Sequence, residues 1–98
     1  ASGRSLLQSK LYAEAESELR LATSLAPDHY WYQFYAGVVA FRLGEFPDAV
    51  AAFGACIALE PKRPECYHYR GLAFEENHQP DRAEADFAQA QRLAEQSP

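Results

Sequence analysis

The 98-residue chain has no apolar stretch long enough to cross a bilayer. The longest uncharged one, Ala49 to Leu59, is eleven residues, against roughly 18 for a membrane-spanning helix. Ala1 to Ser5 carry no charged region leading into an apolar one, so no secretory signal is expected there. Cysteine is scarce. Cys56 and Cys66 are too few for a disulfide scaffold and suit a reduced, cytoplasmic setting. Basic residues are also in deficit, with nine Lys and Arg against fourteen Asp and Glu for a net charge of -5. That balance argues against a nucleic-acid partner, which needs clustered Lys and Arg. No Gly-rich phosphate loop is present, and no nucleophile accompanies His68 or His78, so the parts of a catalytic site are not assembled. The five Gly and six Pro stand singly, as punctuation between elements rather than as linkers.

What is present is a repeat. Gly3, Gly37 and Gly71 are spaced by 34 residues, and so are Ala15, Ala49 and Ala83. The same offset relates Leu19, Phe53 and Phe87, then Ala22, Cys56 and Ala90, then Leu25, Leu59 and Leu93, while Pro27 and Pro61 keep it as well. Self-similarity at one fixed period marks a repeat architecture.

Residue types identify the unit. Between Asp28 and Leu43, Trp31, Phe34, Tyr35, Val38 and Phe41 recur at helical spacing. Gly44 supplies a stop, and Pro47 with Asp48 suits the first turn of a second helix, which runs to about Glu60 before Pro61 ends it. Each unit is thus expected to be a helical hairpin. Gly37, Ala49 and Cys56 permit close backbone approach while Phe53 fills the space beside them. Because the stretch from Ala49 to Leu59 is almost wholly apolar, this helix is expected to be covered on all sides.

These residues resemble the tetratricopeptide repeat family, whose pattern over 34 residues runs aromatic, Leu, Gly, Tyr, Ala, Phe, Ala, Pro. Gly37, Ala49, Phe53 and Pro61 match it in one unit, with Cys56 in place of the second Ala; Tyr67, Gly71, Phe74, Ala83, Phe87 and Ala90 match it in the next, where Arg70 and Glu95 depart from Leu and Pro. The resemblance implies an all-α solenoid of antiparallel helical hairpins, about six helices in a right-handed superhelix. Residues 1–98 then form one domain, with an incomplete first repeat over 1–29, a second over 30–63 and a third over 64–98. Glu84, Gln91 and Arg92 replace Val50, Ile57 and Ala58 in the third unit, which is expected to end the array with a polar closing helix. The chain opens inside a helix before Gly3, and on that ground is expected to be cut from a longer protein or to have lost upstream helix.

By the same resemblance, the first helix of each repeat lines a concave groove that holds a peptide or helix. Carried onto this chain, the lining is Arg4, Leu7 and Gln8, then Trp31, Phe34, Val38, Phe41 and Arg42, then His68, Leu72, Glu75 and Glu76. The family's carboxylate clamp is absent: Asn77 is the only asparagine, and Phe34, Tyr35, Val38 and His68 stand where donors would be needed. An apolar or aromatic segment is the better match. The run from His29 to Tyr35 places five aromatics in six positions, which cannot share one helical face; most are expected in the core, with Trp31 and Phe34 in the groove. A second copy of the chain, or an upstream N-terminal helix, is the competing occupant of this patch, and a second copy could also pair through the N-terminal face.

Neither a metal nor a cofactor is expected, since Cys56, Cys66, His68 and His29 lack the paired short spacings of zinc motifs. A Cys56–Cys66 disulfide across the inter-repeat turn is opposed by a reducing cytoplasm. The reading is a noncatalytic protein-interaction module with a protein or peptide partner and no nucleic-acid or membrane partner. Two alternatives stand beside it. The stretch from His29 to Ala73 looks like repeat arrays that follow serine/threonine kinase domains in some bacteria, which would make it an appendage of a larger protein. Short acidic three-repeat secretion chaperones are the other comparison.

Overall fold

The computed structural model describes residues 29–96 together with Leu11, Glu14, Ala15, Ser17, Glu18, Leu21 and Leu25, and these seven carry helical backbone. The expectations for Arg4, Leu7 and Gln8 and for the opening helix lie outside the described residues. Four helices follow: α1 (Tyr30–Arg42), α2 (Phe46–Leu59), α3 (Pro64–Glu76) and α4 (Pro80–Gln96). α1 packs on α2, α2 on α3 and α3 on α4, with slight contact between α1 and α3. This is a row of two helical hairpins, as the 34-residue period requires.

Proline and left-handed residues set the limits of these helices. Pro47 and Pro64 lie at the first positions of α2 and α3, and Pro80 opens α4, where a missing N–H costs nothing. The chain leaves α1 through Gly44, whose φ of 79° lets the Glu45 N–H donate to the Ala40 carbonyl at 2.9 Å. The corresponding stop after α3 is made by His78, at φ 61°, with the Gln79 N–H donating to the Phe74 carbonyl at 2.8 Å.

Within each hairpin the glycine column meets the phenylalanine column. A Cβ built on Gly37 would lie 2.6 Å from the Phe53 ring, and one on Gly71 2.7 Å from the Phe87 ring. The large-beside-small packing read from the sequence is therefore a direct contact. Ala49, Phe53 and Cys56 are fully buried, and the core runs along the array as adjoining clusters, one of Ala40, Ala49, Phe53 and Ala73 and one of Tyr30, Cys56 and Cys66. Phe34 packs against both.

Two details differ from the apolar pattern. α2 is not covered all round, because Ala51, Ala58 and Leu59 face solvent; two of the three are alanines, which expose little apolar area and so tolerate an outer face. In the third unit, Arg70 at the leucine position makes a two-pronged bond to Asp86, at 2.7 and 2.8 Å. Asp86 is 5% exposed. The residues 34 earlier are Ala36 and Ala52, so a small apolar pair in one hairpin becomes a charged pair in the next.

Candidate functional site

The aromatic run on α1 places fewer rings in the core than expected, because positions 31, 32 and 35 fall on the outward side of the helix. Tyr30 points inward and Phe34 is half-buried between the two core clusters, while Trp31, Tyr32 and Tyr35 are exposed, Trp31 at 45%. Their rings hold one another edge-on: Trp31 meets Tyr30 at 4.9 Å and Phe34 at 5.7 Å between centroids. Arg63 lies over both the Tyr30 and Trp31 rings, at 4.7 and 5.4 Å, and pairs with Glu60 at 3.0 Å.

A cleft of about 160 Å³ opens between the first helices of the two hairpins, lined by Val38, Phe41, Arg42, Phe53, Tyr69 and Leu72. Four of these are groove residues named from the sequence. Tyr69 was not among them, although it lies one helical turn before Leu72 and therefore shares its face. Its ring stands edge-on to Phe34 at 5.4 Å and stacks on Phe53 at 5.8 Å, joining the cleft floor to the core. Of the remaining sequence-named residues, Phe34 supports the cleft from within the core, Trp31 continues α1 beyond it, and Glu75 and Glu76 are exposed at the end of α3.

His68 goes elsewhere. It packs on Phe87 at 5.6 Å and lines a wider groove of about 650 Å³ between α3 and α4, with Pro64, Glu65, Phe87, Ala90, Gln91, Ala94 and Tyr69, which thus borders both grooves. The residues 34 earlier include Tyr30, Phe34, Phe53, Cys56 and Ile57, the seat on which Cys66 and Tyr69 of α3 pack. The wider groove is thus the third unit's copy of the surface that takes a following helix. Glu84, Gln91 and Arg92 are exposed on α4 beside it. The cleft between α1 and α3, although smaller, is the one formed by successive first helices.

Polar chemistry is concentrated under α1. The Cys66 thiol is hydrogen-bonded to the Tyr30 hydroxyl at 3.2 Å, and the Cys56 thiol reaches the Tyr30 backbone carbonyl at 3.7 Å. The hydrogen bond to Cys66, followed by burial, pushes the Cys56 thiol far above its ordinary value; the same bond, with the Tyr30 hydroxyl adding to it, holds Cys66 below its own. Burial, with the bond to Cys66, also raises the Tyr30 phenol. Among the described residues, no three His, Cys, Asp or Glu side chains gather closely enough to hold a metal ion. No described helix is long and apolar enough to cross a membrane.

The family model described as Tetratricopeptide repeat matches residues 1–64 and again 36–98. Among solved structures, a crystal structure of MamA is 26% identical with a TM-score of 0.82 over 87% of this chain and 50% of that one. MamA MSR-1 is 23% identical, TM-score 0.86, over 96% and 55%, and MamA AMB-1 is 23% identical, TM-score 0.86, over 92% and 53%. This chain spans about half the length of these MamA structures. No curated protein matches it.

Proposed function

The chain belongs to the tetratricopeptide repeat family, and from that membership we propose that it is a noncatalytic protein-interaction module whose concave face takes an apolar or aromatic peptide or helix. The observation that carries this reading is the cleft between α1 and α3, where Val38, Phe41, Arg42 and Leu72 converge with Tyr69. Its walls are aliphatic and aromatic, with one guanidinium at the rim, so affinity would come from side chains buried in the cleft and orientation from a single charge-assisted bond. Trp31 extends the apolar strip along α1 and is held upright by Tyr30, Phe34 and Arg63.

Peptide display on the wild-type chain tests the reading. It should select apolar or aromatic sequences whose binding falls by about tenfold or more in Trp31→Ala and in Leu72→Lys, with far-ultraviolet circular dichroism unchanged. Phe34→Ala is the wrong probe, because its ring belongs to both core clusters. Selected peptides indifferent to both variants would move the site away from this face.

A second reading, a scaffolding segment within a longer array, is favoured by the wider groove on α3 and α4, which repeats the seat that α3 fills on the preceding hairpin. The parent reading frame decides it: coding sequence for further helical units after Pro98 supports the segment, and a frame ending there removes it.

A further inference from the structure

Two thiols from different repeats meet in one buried cluster that the groove does not use. Cys56 lies in the last turn of α2 and Cys66 in the first turn of α3; both are 0% exposed, and Tyr30 is the third member of the cluster. Cys56 and Cys66 belong to one buried cluster, and both thiols donate to Tyr30, one to its carbonyl at 3.7 Å and the other to its hydroxyl at 3.2 Å. Only residues 60–63 connect the two helices, so the ends that carry the thiols are tethered together.

We propose that Cys56 and Cys66 form a redox-modification site, in which a hydroperoxide converts the pair to an intramolecular disulfide joining the second repeat to the third. Cys66 is the attacking thiol. It sits in the first turn of α3, whose N-terminus favours its thiolate, and it donates to the Tyr30 hydroxyl, which can turn its own proton toward the sulfur once the thiol is deprotonated. Cys56 keeps its proton, which it donates to the Tyr30 carbonyl, and resolves the intermediate. The Cys66 thiolate attacks one peroxide oxygen and the O–O bond breaks, giving a Cys66 sulfenic acid and a hydroxide that leaves as water with the proton Cys66 gave up. The Cys56 sulfur then attacks the Cys66 sulfur; the S–S bond forms, the S–O bond breaks, and the oxygen leaves as a second water carrying the Cys56 proton. The pair loses two hydrogens and one peroxide becomes two waters. Full burial keeps a second protein thiol from the pair, while hydrogen peroxide reaches it only through local opening of the α2–α3 junction.

Closure also removes the bond from Cys66 to the Tyr30 hydroxyl. The Tyr30 ring abuts Trp31 and carries Arg63 on its face, so the redox state of the pair is reported at the end of α1.

The experiment treats the full chain with hydrogen peroxide and follows free thiols, intact mass and the fluorescence of Trp31, the single tryptophan. Expected are loss of both thiols, a mass lower by two hydrogen atoms, no dimer on a non-reducing gel, a Trp31 signal that reverts with dithiothreitol, and a Tm higher by about 5 °C or more. With dimedone present, Cys56→Ser should be labelled at Cys66, while Cys66→Ser should remain unlabelled at Cys56. Thiols that survive peroxide in the wild-type chain, oxidation only to sulfinic acids or to intermolecular dimers, or labelling of Cys56 in Cys66→Ser would each overturn the proposal.

Discussion

A methyl group added at Gly37 would press on the Phe53 ring at 2.6 Å, and one at Gly71 on the Phe87 ring at 2.7 Å. Alanine is the better helix former by about 1 kcal/mol, but overpacking of a filled core costs about 1–3 kcal/mol. Which wins depends on whether the ring can retreat. Phe53 is fully buried, while Phe87 borders the open groove on α3 and α4. Gly37→Ala should therefore lower stability by about 1–2 kcal/mol and Gly71→Ala by distinctly less, as read by urea unfolding; equal losses would mean that both rings are held alike. The contrast between Arg70 and Ala36 leads to another expectation. Asp86→Ala leaves the Arg70 guanidinium without its acceptor in a half-buried site and should cost about 2 kcal/mol or more. Adding Arg70→Ala recreates the alanine pair of the preceding hairpin and should recover most of the loss, whereas a double variant as unstable as the single one would show that the ion pair is not the reason. At this scale the glycine and phenylalanine columns were legible, because a fixed period aligns them. Arg70 was visible as a departure from the family pattern, but Asp86 was not visible as its partner, since nothing in a one-dimensional period says which helix face meets which.

At the scale of helices, the stops before α2 and after α3 pose the same geometric problem with different residues. Gly44 adopts its left-handed conformation without a Cβ penalty, while His78 adopts nearly the same φ with a side chain. His78→Gly should then stabilise the chain by about 0.5–1 kcal/mol and raise Tm by a few degrees. Gly44→Ala should do the reverse. Nothing lies within 4 Å of a Cβ at Gly44, so its cost would be one of backbone conformation alone. If thermal unfolding shows no gain in His78→Gly, the imidazole supplies a contact that offsets the strain. The start of α2 could be read from Pro47, and Pro64 and Pro80 mark α3 and α4 in the same way in the structure, because proline states its preference openly. The stop at His78 could not, since histidine carries no such signal and the conformation is imposed by the carbonyl of Phe74 capturing the Gln79 N–H. The cleft was half legible: Val38, Phe41, Arg42 and Leu72 follow from their places on the first helix of each repeat, whereas Tyr69 is set by its contacts with the rings of Phe34 and Phe53, which a one-dimensional period does not specify.

For the molecule as a whole, the radius of gyration of 14.0 Å, with extents of 42 × 32 × 23 Å, exceeds the ~12.6 Å expected of a compact chain of this length. An elongated array of this kind is stabilised within each hairpin and across each junction, so the junctions decide whether it unfolds as one body. Between the second and third units the junction rests on few residues. Cys66 meets Tyr30 and Cys56, Ala73 meets Ala40 and Phe53, and Tyr69 joins Phe34 to Phe53. Tyr69→Ala removes the largest of these without touching the contact of Gly71 with Phe87, and should cost about 2 kcal/mol, less than full burial of a ring would imply because Tyr69 is 37% exposed. More telling than the loss is its form. Trp31 reports locally, on α1 and its contacts with Tyr30, Phe34 and Arg63, whereas circular dichroism averages over all helices. In the wild-type chain the two transitions should coincide in urea; in Tyr69→Ala the hairpins become less coupled, so the transitions should separate and the apparent m-value fall. Coincident transitions at an unchanged m-value in the variant would show that the remaining contacts of Cys66 and Ala73 are sufficient to hold the array together, and that cooperativity here does not pass through the aromatic seat of Tyr69.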